Sequence, residues 1–251
     1  GQGDSVLISS GGAYCLIDAG TSQSADTLVE DLIAGGVEKL DLVVMTHPHA
    51  DHIGGMDEVL DTFEVGTLLL PDLSYADTES GMLAKVLQTA EDTGTPCVQA
   101  KRGWQQTVGE GTLTVVYAGL VPEEGKEPDL NNTSLCVRYE LGQFSFLCTG
   151  DAEAGAEEEL VLTAGGTIAS TLFKAGHHGS DTSNTQTLLW AVRPQVAVVS
   201  CGLDNDYGHP HAEVLQRFAN NGVEVYRTDE QGTITVTGQA DGSWSVRPAA
   251  G

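Results

Sequence analysis

The stretch MTHPHADHIGG, residues 45–55, constrains the fold more than any other, because it crowds three histidines and an aspartate into six positions behind an apolar run. Imidazoles and carboxylates are ligands that Zn²⁺ prefers, and Mn²⁺ or Fe²⁺ also accept them. One such histidine could be a core residue, but four ligand-type side chains so close together indicate a metal site. They are His47, His49, Asp51 and His52.

A tight loop would let this motif serve two neighbouring ions. We expect residues 40–46 to form a buried strand that delivers the motif at its C-terminal end, and Gly54 and Gly55 to permit a sharp exit into a helix. Two ions about 3.5 to 4 Å apart need a shared anion to offset their repulsion. Their other ligands would come as pairs, one from His47 and His49, the other from Asp51 and His52.

Two further clusters follow apolar runs later in the chain. Asp151, at the end of FLCTGD, is the candidate for the shared anion, although a GD dipeptide by itself is more typical of a turn. KAGHHGS, residues 174–180, contributes adjacent histidines. One of His177 and His178 should complete the second metal site, with His178 favoured, while the other contacts substrate or a supporting carboxylate.

The sequence YGHPH, residues 207–211, is a weaker indication of function. His211 could simply open the following helix, because Pro210 suits the turn before one. His209 is the better candidate for a contact with substrate or around the metal, and a purely structural role stays open.

Length and composition favour one domain over residues 1–251 without a membrane span. The longest apolar stretches, such as VGTLLLP and QVAVVSCG, are far shorter than the roughly 18 to 20 residues of a membrane helix. The chain starts at GQGDSVLI without an initiator Met or signal segment, so we expect a piece of a longer protein. An extracytoplasmic or membrane-associated location through missing segments stays open, as does the oligomeric state.

Five scattered cysteines favour buried thiols over disulfides.

The formal net charge of −25, from 36 acidic and 11 basic residues, predicts a negative surface field that repels polyanions. This charge weakens a nucleic-acid hypothesis. It does not exclude one, because bound divalent cations reverse the field at the site itself.

Apolar runs alternate with helix-like segments along the chain, which predicts layered α/β packing. Residues 119–132 have the Pro, Gly and charge content of a loop. The predicted helices cover residues 25–34, 54–63, 79–93 and 211–221. The predicted strands cover residues 5–9, 13–18, 40–46, 67–70, 96–100, 111–118, 134–141, 143–149, 171–175, 195–200, 223–226, 233–237 and 244–247.

The combination of HPHADHIGG, TGD and KAGHHGS resembles the metallo-β-lactamase superfamily, whose signature is HxHxDH with downstream Asp and His ligands. With GQGDS, NNTSL, YGHPH and YRTDEQGTI, the set looks like the soluble domain of ComEC-type DNA-uptake proteins and their free-standing relatives, from residue 3 to about residue 234. The resemblance implies a four-layer αββα sandwich with one or two divalent ions, Zn²⁺ or Mn²⁺, at the strand ends. It also implies hydrolysis by a metal-bound hydroxide.

One departure from that family concerns the first ion. Most members place another histidine there, but no histidine lies between His52 and His177. Amide and hydroxyl groups stand in the corresponding region, and they are poor zinc ligands but good partners for phosphate oxygens. We therefore expect the first metal site to be weak and to bind its ion only when substrate is present. Mn²⁺ is then a candidate metal beside Zn²⁺. A loop-capping role for the asparagines is the alternative; the residues concerned are Asn131, Asn132, Thr133 and Ser134.

The leading hypothesis is a metal-dependent phosphodiesterase or nuclease, with single-stranded DNA as a candidate substrate. Two cations suit phosphodiester cleavage because they stabilise the attacking and leaving oxygens together. A hydrolase of a lactone, thioester or other carboxylic substrate, and a metal-stabilised interaction domain without turnover, are the alternatives. Asp51 could orient the attacking water, His177 is a further catalytic candidate, and Lys174 could stabilise charge on substrate oxygens. The substrate-binding candidates are Asn131, Asn132, Ser134, Ser180 and His209.

Overall fold

Two mixed β-sheets lie face to face in the computed structural model of the chain, which describes residues 1–120 and 129–249. The first sheet has the order β1-β2-β4-β6-β7, and β3 pairs separately with β5. The strands of this half are β1 (Val6–Ser10), β2 (Ala13–Ile17), β3 (Lys39–Leu40), β4 (Leu42–Val44), β5 (Glu64–Val65), β6 (Leu68–Leu70) and β7 (Cys97–Gln99). The helices of this half are α1 (Ala25–Ala34), α2 (Ala50–Ile53), α3 (Met56–Thr62) and α4 (Gly81–Thr93).

The second sheet has the order β14-β13-β12-β11-β10-β9-β8, and a hairpin of β15 and β16 follows it. Its strands are β8 (Gln105–Val108), β9 (Gly111–Tyr117), β10 (Cys136–Leu141), β11 (Phe144–Cys148), β12 (Leu172–Lys174), β13 (Val196–Val199) and β14 (Glu224–Arg227). The hairpin strands are β15 (Ile234–Gly238) and β16 (Trp244–Pro248). The helices of this half are α5 (Ala154–Ala164), α6 (Gln186–Val192), α7 (Ala212–Asn220) and α8 (Thr228–Gln231).

Alternating side chains of the strands create three apolar layers. Cys15 and Ile17 of β2 pack between the two sheets, whereas Leu16 faces the helices of the first half. In the second sheet, Phe146 points into the space between the sheets and Leu147 points towards α5, α6 and α7. Because successive residues of a strand face opposite sides, each sheet buries both faces. The predicted four-layer αββα sandwich is confirmed.

Loops at the carboxyl ends of parallel strands carry the ligand-type residues. The motif at residues 45–55 follows β4, which is parallel to β2 and β6. TGD follows β11 and KAGHHGS begins at the end of β12, and β11 is parallel to β12. Parallel neighbours end at the same edge of a sheet, so these loops meet at one rim of the sandwich.

The region around the first motif differs from its sequence-based prediction. Residues 40–46 are split into β3 and β4, because β3 pairs with β5 while the Asp41 carboxylate accepts a hydrogen bond from the Tyr14 N–H at 2.9 Å. The helix predicted over 54–63 begins earlier, as α2 within the motif, and resumes as α3 after Gly54 and Gly55. The glycines therefore join two short helices.

Several elements lie outside the sequence-based prediction. They are β5, β8, α5, α6 and α8. The α5 helix buries Glu157 and exposes 77% of Leu162, so its sequence lacks a clear apolar stripe. Residues 121–128 of the predicted loop lie outside the described residues, and Asn131–Thr133 forms a 3₁₀ turn.

The burial of the cysteines agrees only in part with the sequence-based prediction. Four cysteines are buried, Cys97 is exposed contrary to prediction, and all five are free. Cys97 begins an edge strand whose side chains alternate outward. Within residues 1–120 and 129–249, none of the helices has the length and apolar character needed to cross a membrane.

Gly54 lets the motif loop rest on the turn after β2. Its N–H donates to the carbonyl of Gly20 at 2.8 Å. A Cβ at this position would lie 2.5 Å from the carbonyl oxygen of Ala50 and closer still to the backbone nitrogen of Ser22. Backbone atoms cannot yield as a flexible side chain can.

We predict that Gly54→Ala lowers the free energy of unfolding by about 1 to 3 kcal/mol, because the added methyl overpacks this contact. Gly166→Ala is the matched control, since a Cβ there meets open space, and it should change stability by no more than about 0.5 kcal/mol. Urea denaturation of the two variants measures the difference. Equal stability of the two variants would contradict the close packing.

Candidate metal centre

Each of three buried histidines has its Nδ1 atom engaged by a neighbouring protein group. Nδ1 of His52 donates to the Asp18 carboxylate at 2.7 Å, and Asp18 also accepts from the Thr46 N–H at 2.8 Å and hydroxyl at 2.7 Å. Nδ1 of His178 donates to the carbonyl oxygen of Ser200 at 3.0 Å. Because a carbonyl or carboxylate only accepts, Nδ1 carries a proton, and Nε2 is the nitrogen that offers a lone pair to a metal once the imidazole is neutral.

His47 is fixed in the same way. Its Nδ1 lies 3.1 Å from the Thr46 hydroxyl, which already donates to Asp18 and therefore accepts here. Its Nε2 lies 3.0 Å from Nδ1 of His49 and 3.9 Å from Oδ2 of Asp151. His47 and His49 are thus adjacent, as the spacing of the motif predicts.

Asp151 lies between the histidine groups. Its Oδ1 is 3.2 Å from Nε2 of His52, and its Oδ2 is 3.7 Å from Nε2 of both His177 and His178. The backbone N–H of Asp151 donates to the hydroxyl of Ser134 at 3.1 Å. The two carboxylate oxygens therefore face different imidazoles, an arrangement suited to an anion shared between two sites.

Four buried polar atoms at this point lack a well-oriented hydrogen bond, although Nε2 of His52 and Oδ1 of Asp151 are 3.2 Å apart: Oδ1 of Asp4, Nε2 of His52, Oδ1 of Asp151 and Nε2 of His178. The same four residues offer ligand atoms that all lie within 4.8 Å of one another. Ligands on opposite sides of a divalent ion with bonds of about 2.0 to 2.2 Å are about 4 Å apart, so the set fits such an ion. Unpartnered buried polar atoms are costly, which a bound ion would relieve. The cluster is therefore a candidate divalent-metal site.

Asp51 lies at the rim of this cluster. Its side chain is 34% exposed, and its Oδ2 is 3.2 Å from Nε2 of His178. Asp4 occupies the buried side instead. The sequence prediction omitted Asp4, although GQGDS places it directly before β1, and omitted Asp18, which follows β2 as His47 follows β4. A polar residue at a strand end is the signal that could have found Asp18.

Burial and charge pull the histidines in different directions. Burial lowers the pKa of His47 well below its ordinary value. Burial also disfavours charged His52, but Asp151 and Asp18 outweigh it and raise the pKa of His52 well above its ordinary value. The pKa of His178 rises to about 10 because Asp4 and Asp51 outweigh the same penalty. A metal ion must displace these protons.

Lys174 and Ser180 are turned into the protein. The Lys174 ammonium is buried, contacts Oδ2 of Asp4 and donates to the carbonyl of Ala175 at 2.8 Å. The Ser180 hydroxyl is 3.0 Å from that of Thr182 and accepts from the Thr182 N–H at 3.3 Å. Both side chains have internal partners in this conformation.

The polar turn that replaces the expected histidine is partly engaged in its own loop. Asn132 accepts from the Glu153 N–H at 3.1 Å and donates to Asp129 at 2.8 Å. The Asn131 amide donates to Glu153 at 3.4 Å, and its buried Oδ1 has no hydrogen-bond partner. Asn132 thus has the loop-capping contacts, whereas Asn131 retains a free acceptor.

The remaining histidines stand beside the cluster. His177 has a left-handed φ of 49°, and its Nδ1 is 3.4 Å from Oε1 of Glu153. The His209 ring stacks on that of His178 with centroids 6.1 Å apart, and burial lowers the pKa of His209 to about 4. His211 is the N-cap residue of α7, in agreement with the alternative structural interpretation, and its Nδ1 accepts from the Asp181 N–H at 2.9 Å.

Comparison with known proteins identifies the family. The family model described as metallo-beta-lactamase superfamily matches residues 1–203. The chain belongs to the metallo-β-lactamase superfamily. The metallo-β-lactamase fold protein YhfI of Bacillus subtilis has a similar structure, with a TM-score of 0.57 and 15% identity over 90% of this chain and 89% of that one. This likeness agrees with the αββα fold.

Two curated relatives of this metallo-β-lactamase superfamily member are competence-related proteins. It is 32% identical to ComE operon protein 3 of Bacillus subtilis (strain 168) over 93% of this chain and 31% of that protein. It is 34% identical to competence protein ComA of Neisseria gonorrhoeae over 93% of this chain and 30% of that protein. The chain therefore spans about a third of the length of these relatives. The chain is thus a metallo-β-lactamase superfamily domain related to these two proteins.

The raised pKa of His178 predicts a pH dependence of the metal-free protein. A group whose pKa is higher in the folded state stabilises the fold fully below its unfolded value of about 6.5 and loses that effect as pH rises towards the folded value. We predict that the thermal midpoint, measured with chelator, falls between about pH 6.5 and 8.5, before unfolded cysteines ionise. His178→Ala should show a shallower slope, although His52 still contributes. Equal slopes in both proteins would contradict the assignment.

Proposed function

We propose that this domain is a metal-dependent phosphodiesterase, with single-stranded DNA as its candidate substrate. The observation that carries the proposal is the set of unpartnered ligand atoms around Asp151, adjacent to a second histidine pair that lacks a third imidazole. The ligands are proposed as His47 and His49 for the first ion, and Asp51, His52 and His178 for the second, with Asp151 shared. Membership of the competence-related branch supports phosphodiester over carboxylic substrates.

Divalent ions bound here would lower the pKa of water from 15.7 towards about 7 and stabilise charge on the substrate oxygens. The chain's own residues provide the orientation. Asp18 and Ser200 hold the Nδ1 protons of His52 and His178, so that both Nε2 atoms face the cluster. The exposed edge of Asp51 would accept a hydrogen bond from the attacking water.

His177 is proposed to contact the leaving side of the substrate. Its side chain is 20% exposed, its Nε2 lies 3.7 Å from Oδ2 of Asp151, and its Nδ1 faces both Glu153 and Thr182. A proton held at Nε2 would be available to a leaving oxygen at the open side of the cluster. His209, stacked beside His178, would border the same opening.

The polar turn at Asn131 is proposed to give the first ion its substrate dependence. Two imidazoles and a shared carboxylate leave that ion short of protein donors, so a phosphate oxygen would complete its surroundings. The Oδ1 atom of Asn131 has no hydrogen-bond partner, but as an acceptor it cannot bind a phosphate oxygen. The side-chain amide hydrogens of Asn131 are the groups that could donate to a phosphate. Lys174, by contrast, is better suited to support Asp4 than to contact substrate, because its ammonium is buried.

The net charge of −25 limits how DNA would be held. The acidic surface of this chain opposes long-range attraction of DNA, because it repels a polyanion. Binding must then depend on the ions at the site, and small phosphodiesters should be cleaved as well as DNA.

We predict that the purified chain, loaded with Mn²⁺, Zn²⁺ or Mg²⁺ in parallel, cleaves bis-p-nitrophenyl phosphate and single-stranded DNA but not a lactone. Asp151→Ala should abolish this activity, because both ions lose their shared carboxylate. Release of p-nitrophenol and gel analysis of labelled DNA measure the two reactions.

Asp61→Ala is the control, since Asp61 is an exposed acid on α3, and it should retain the wild-type rate. Lactone turnover without phosphodiester cleavage would refute the proposal and favour a carboxylic substrate. A metal-loaded protein that turns over none of the three substrates would instead indicate an interaction domain.

A further inference from the structure

The motif GQGDS contributes a residue to the metal cluster that the proposed ligand set does not use. Asp4 is 3% exposed although it precedes the first strand. Its N–H donates to the carbonyl of Asp51 at 3.0 Å, and its own carbonyl accepts from the Gly20 N–H at 2.8 Å. The backbone of Asp4 is thus tied to the HxHxDH motif and to the turn after β2.

Gly3 permits this close approach. A Cβ at Gly3 would lie 2.7 Å from the backbone nitrogen of Thr21 and 2.8 Å from the carbonyl oxygen of Asp51. Such distances are impossible without a shift of backbone atoms on either side. The N-terminal segment is therefore packed against the motif, and its aspartate is held underneath the cluster.

The two oxygens of the Asp4 carboxylate have different surroundings. Oδ2 contacts the buried ammonium of Lys174. Oδ1 lies 3.2 Å from Nδ1 of His178, but that N–H donates to Ser200, and Oδ1 has no hydrogen-bond partner. A buried carboxylate oxygen without a partner is costly. No described protein group donates a well-oriented hydrogen bond to Oδ1, and the nearest donor, Nδ1 of His178, is already engaged by Ser200.

We propose that Oδ1 of Asp4 is a ligand of the ion held by His52, Asp151 and His178. Its ligand atom lies within 4.8 Å of those of the other three residues, each of which also has an unpartnered atom. Lys174 neutralises Oδ2, so that Asp4 binds through a single oxygen. This inference rests on the metal centre of the proposed function and adds a residue from outside the superfamily signature.

The added carboxylate changes the preference of the site among metals. With Asp4, the second ion is faced by carboxylates of Asp4, Asp51 and Asp151 and by two imidazoles. Carboxylate oxygens suit Mn²⁺, whereas imidazole suits Zn²⁺. Asp4 should therefore raise the affinity for Mn²⁺ more than the affinity for Zn²⁺.

Calorimetric titration of the chelator-treated chain with Mn²⁺, and separately with Zn²⁺, tests this proposal without any substrate. Lys174→Met serves as the reference, because it removes the lysine but keeps the Asp4 carboxylate. Asp4→Asn combined with Lys174→Met keeps the size of the side chain and leaves no unpaired buried charge. We expect the double variant to bind Mn²⁺ at least about 10-fold more weakly than Lys174→Met, with a smaller loss for Zn²⁺.

Asp57→Asn combined with Lys85→Met is the matched control, since it removes another aspartate and lysine pair, joined at 2.5 Å. It should change neither affinity, and circular dichroism verifies that all variants fold. Equal Mn²⁺ affinity of Lys174→Met and the double variant would overturn the proposal. Equal losses for Mn²⁺ and Zn²⁺ would also overturn it, because they indicate a structural role.

The titration separates this inference from the proposed function. An Asp4-dependent affinity in a chain that cleaves no phosphodiester would uphold the ligand and refute the reaction. If the chain cleaves phosphodiesters and its Mn²⁺ affinity does not depend on Asp4, the reaction is upheld and the ligand role of Asp4 is refuted.

Discussion

The Asp151 carboxylate is the group on which the rest of the site depends. It is buried together with Asp4 and Asp18, and isolated buried charge is prohibitively costly unless it is paired. His52 and His178 supply the pairing in the metal-free chain, and their raised pKa values are the consequence. The same carboxylates and imidazoles, once their protons leave, are a set of metal ligands. Protonation of the histidines and binding of a metal ion are therefore alternative ways to compensate the charge of the buried carboxylates.

The fold brings these carboxylates and imidazoles together because several strands end at the same rim of the sandwich. The two sheets meet so that β4, β11 and β12 end at one rim, and each delivers a short loop there. At the ends of β2 and β13, Asp18 and Ser200 fix one nitrogen of the His52 and His178 imidazoles before any ion arrives. Preorganised ligands lose less entropy on binding, so the scaffold contributes to affinity as well as to position.

The sequence was sufficient where a signal is local. HxHxDH, TGD and HHGS are short motifs at strand ends; their resemblance to a known family implied the αββα sandwich, and their residues His52, Asp151 and His178 lie together in the structure. Asp4 and Asp18 were missed because each is a single acid whose meaning depends on partners far along the chain. For Lys174 the sequence suggested a contact with substrate, because a lysine beside a metal motif could stabilise charge. Its burial beside Asp4 indicates a supporting role instead. The α5 helix was not predicted because it buries a glutamate and exposes a leucine.

The two proposed ions differ in how firmly the protein holds them around Asp151, and anomalous diffraction at the manganese edge would measure that difference. Crystals grown with Mn²⁺ should give a strong peak between His52, Asp151 and His178. A weaker peak near His47 and His49 should strengthen when a phosphate ester is added, because the phosphate supplies the donor that the missing histidine would have given. Two peaks of equal strength without phosphate, or no peak beside Asp151, would contradict the account.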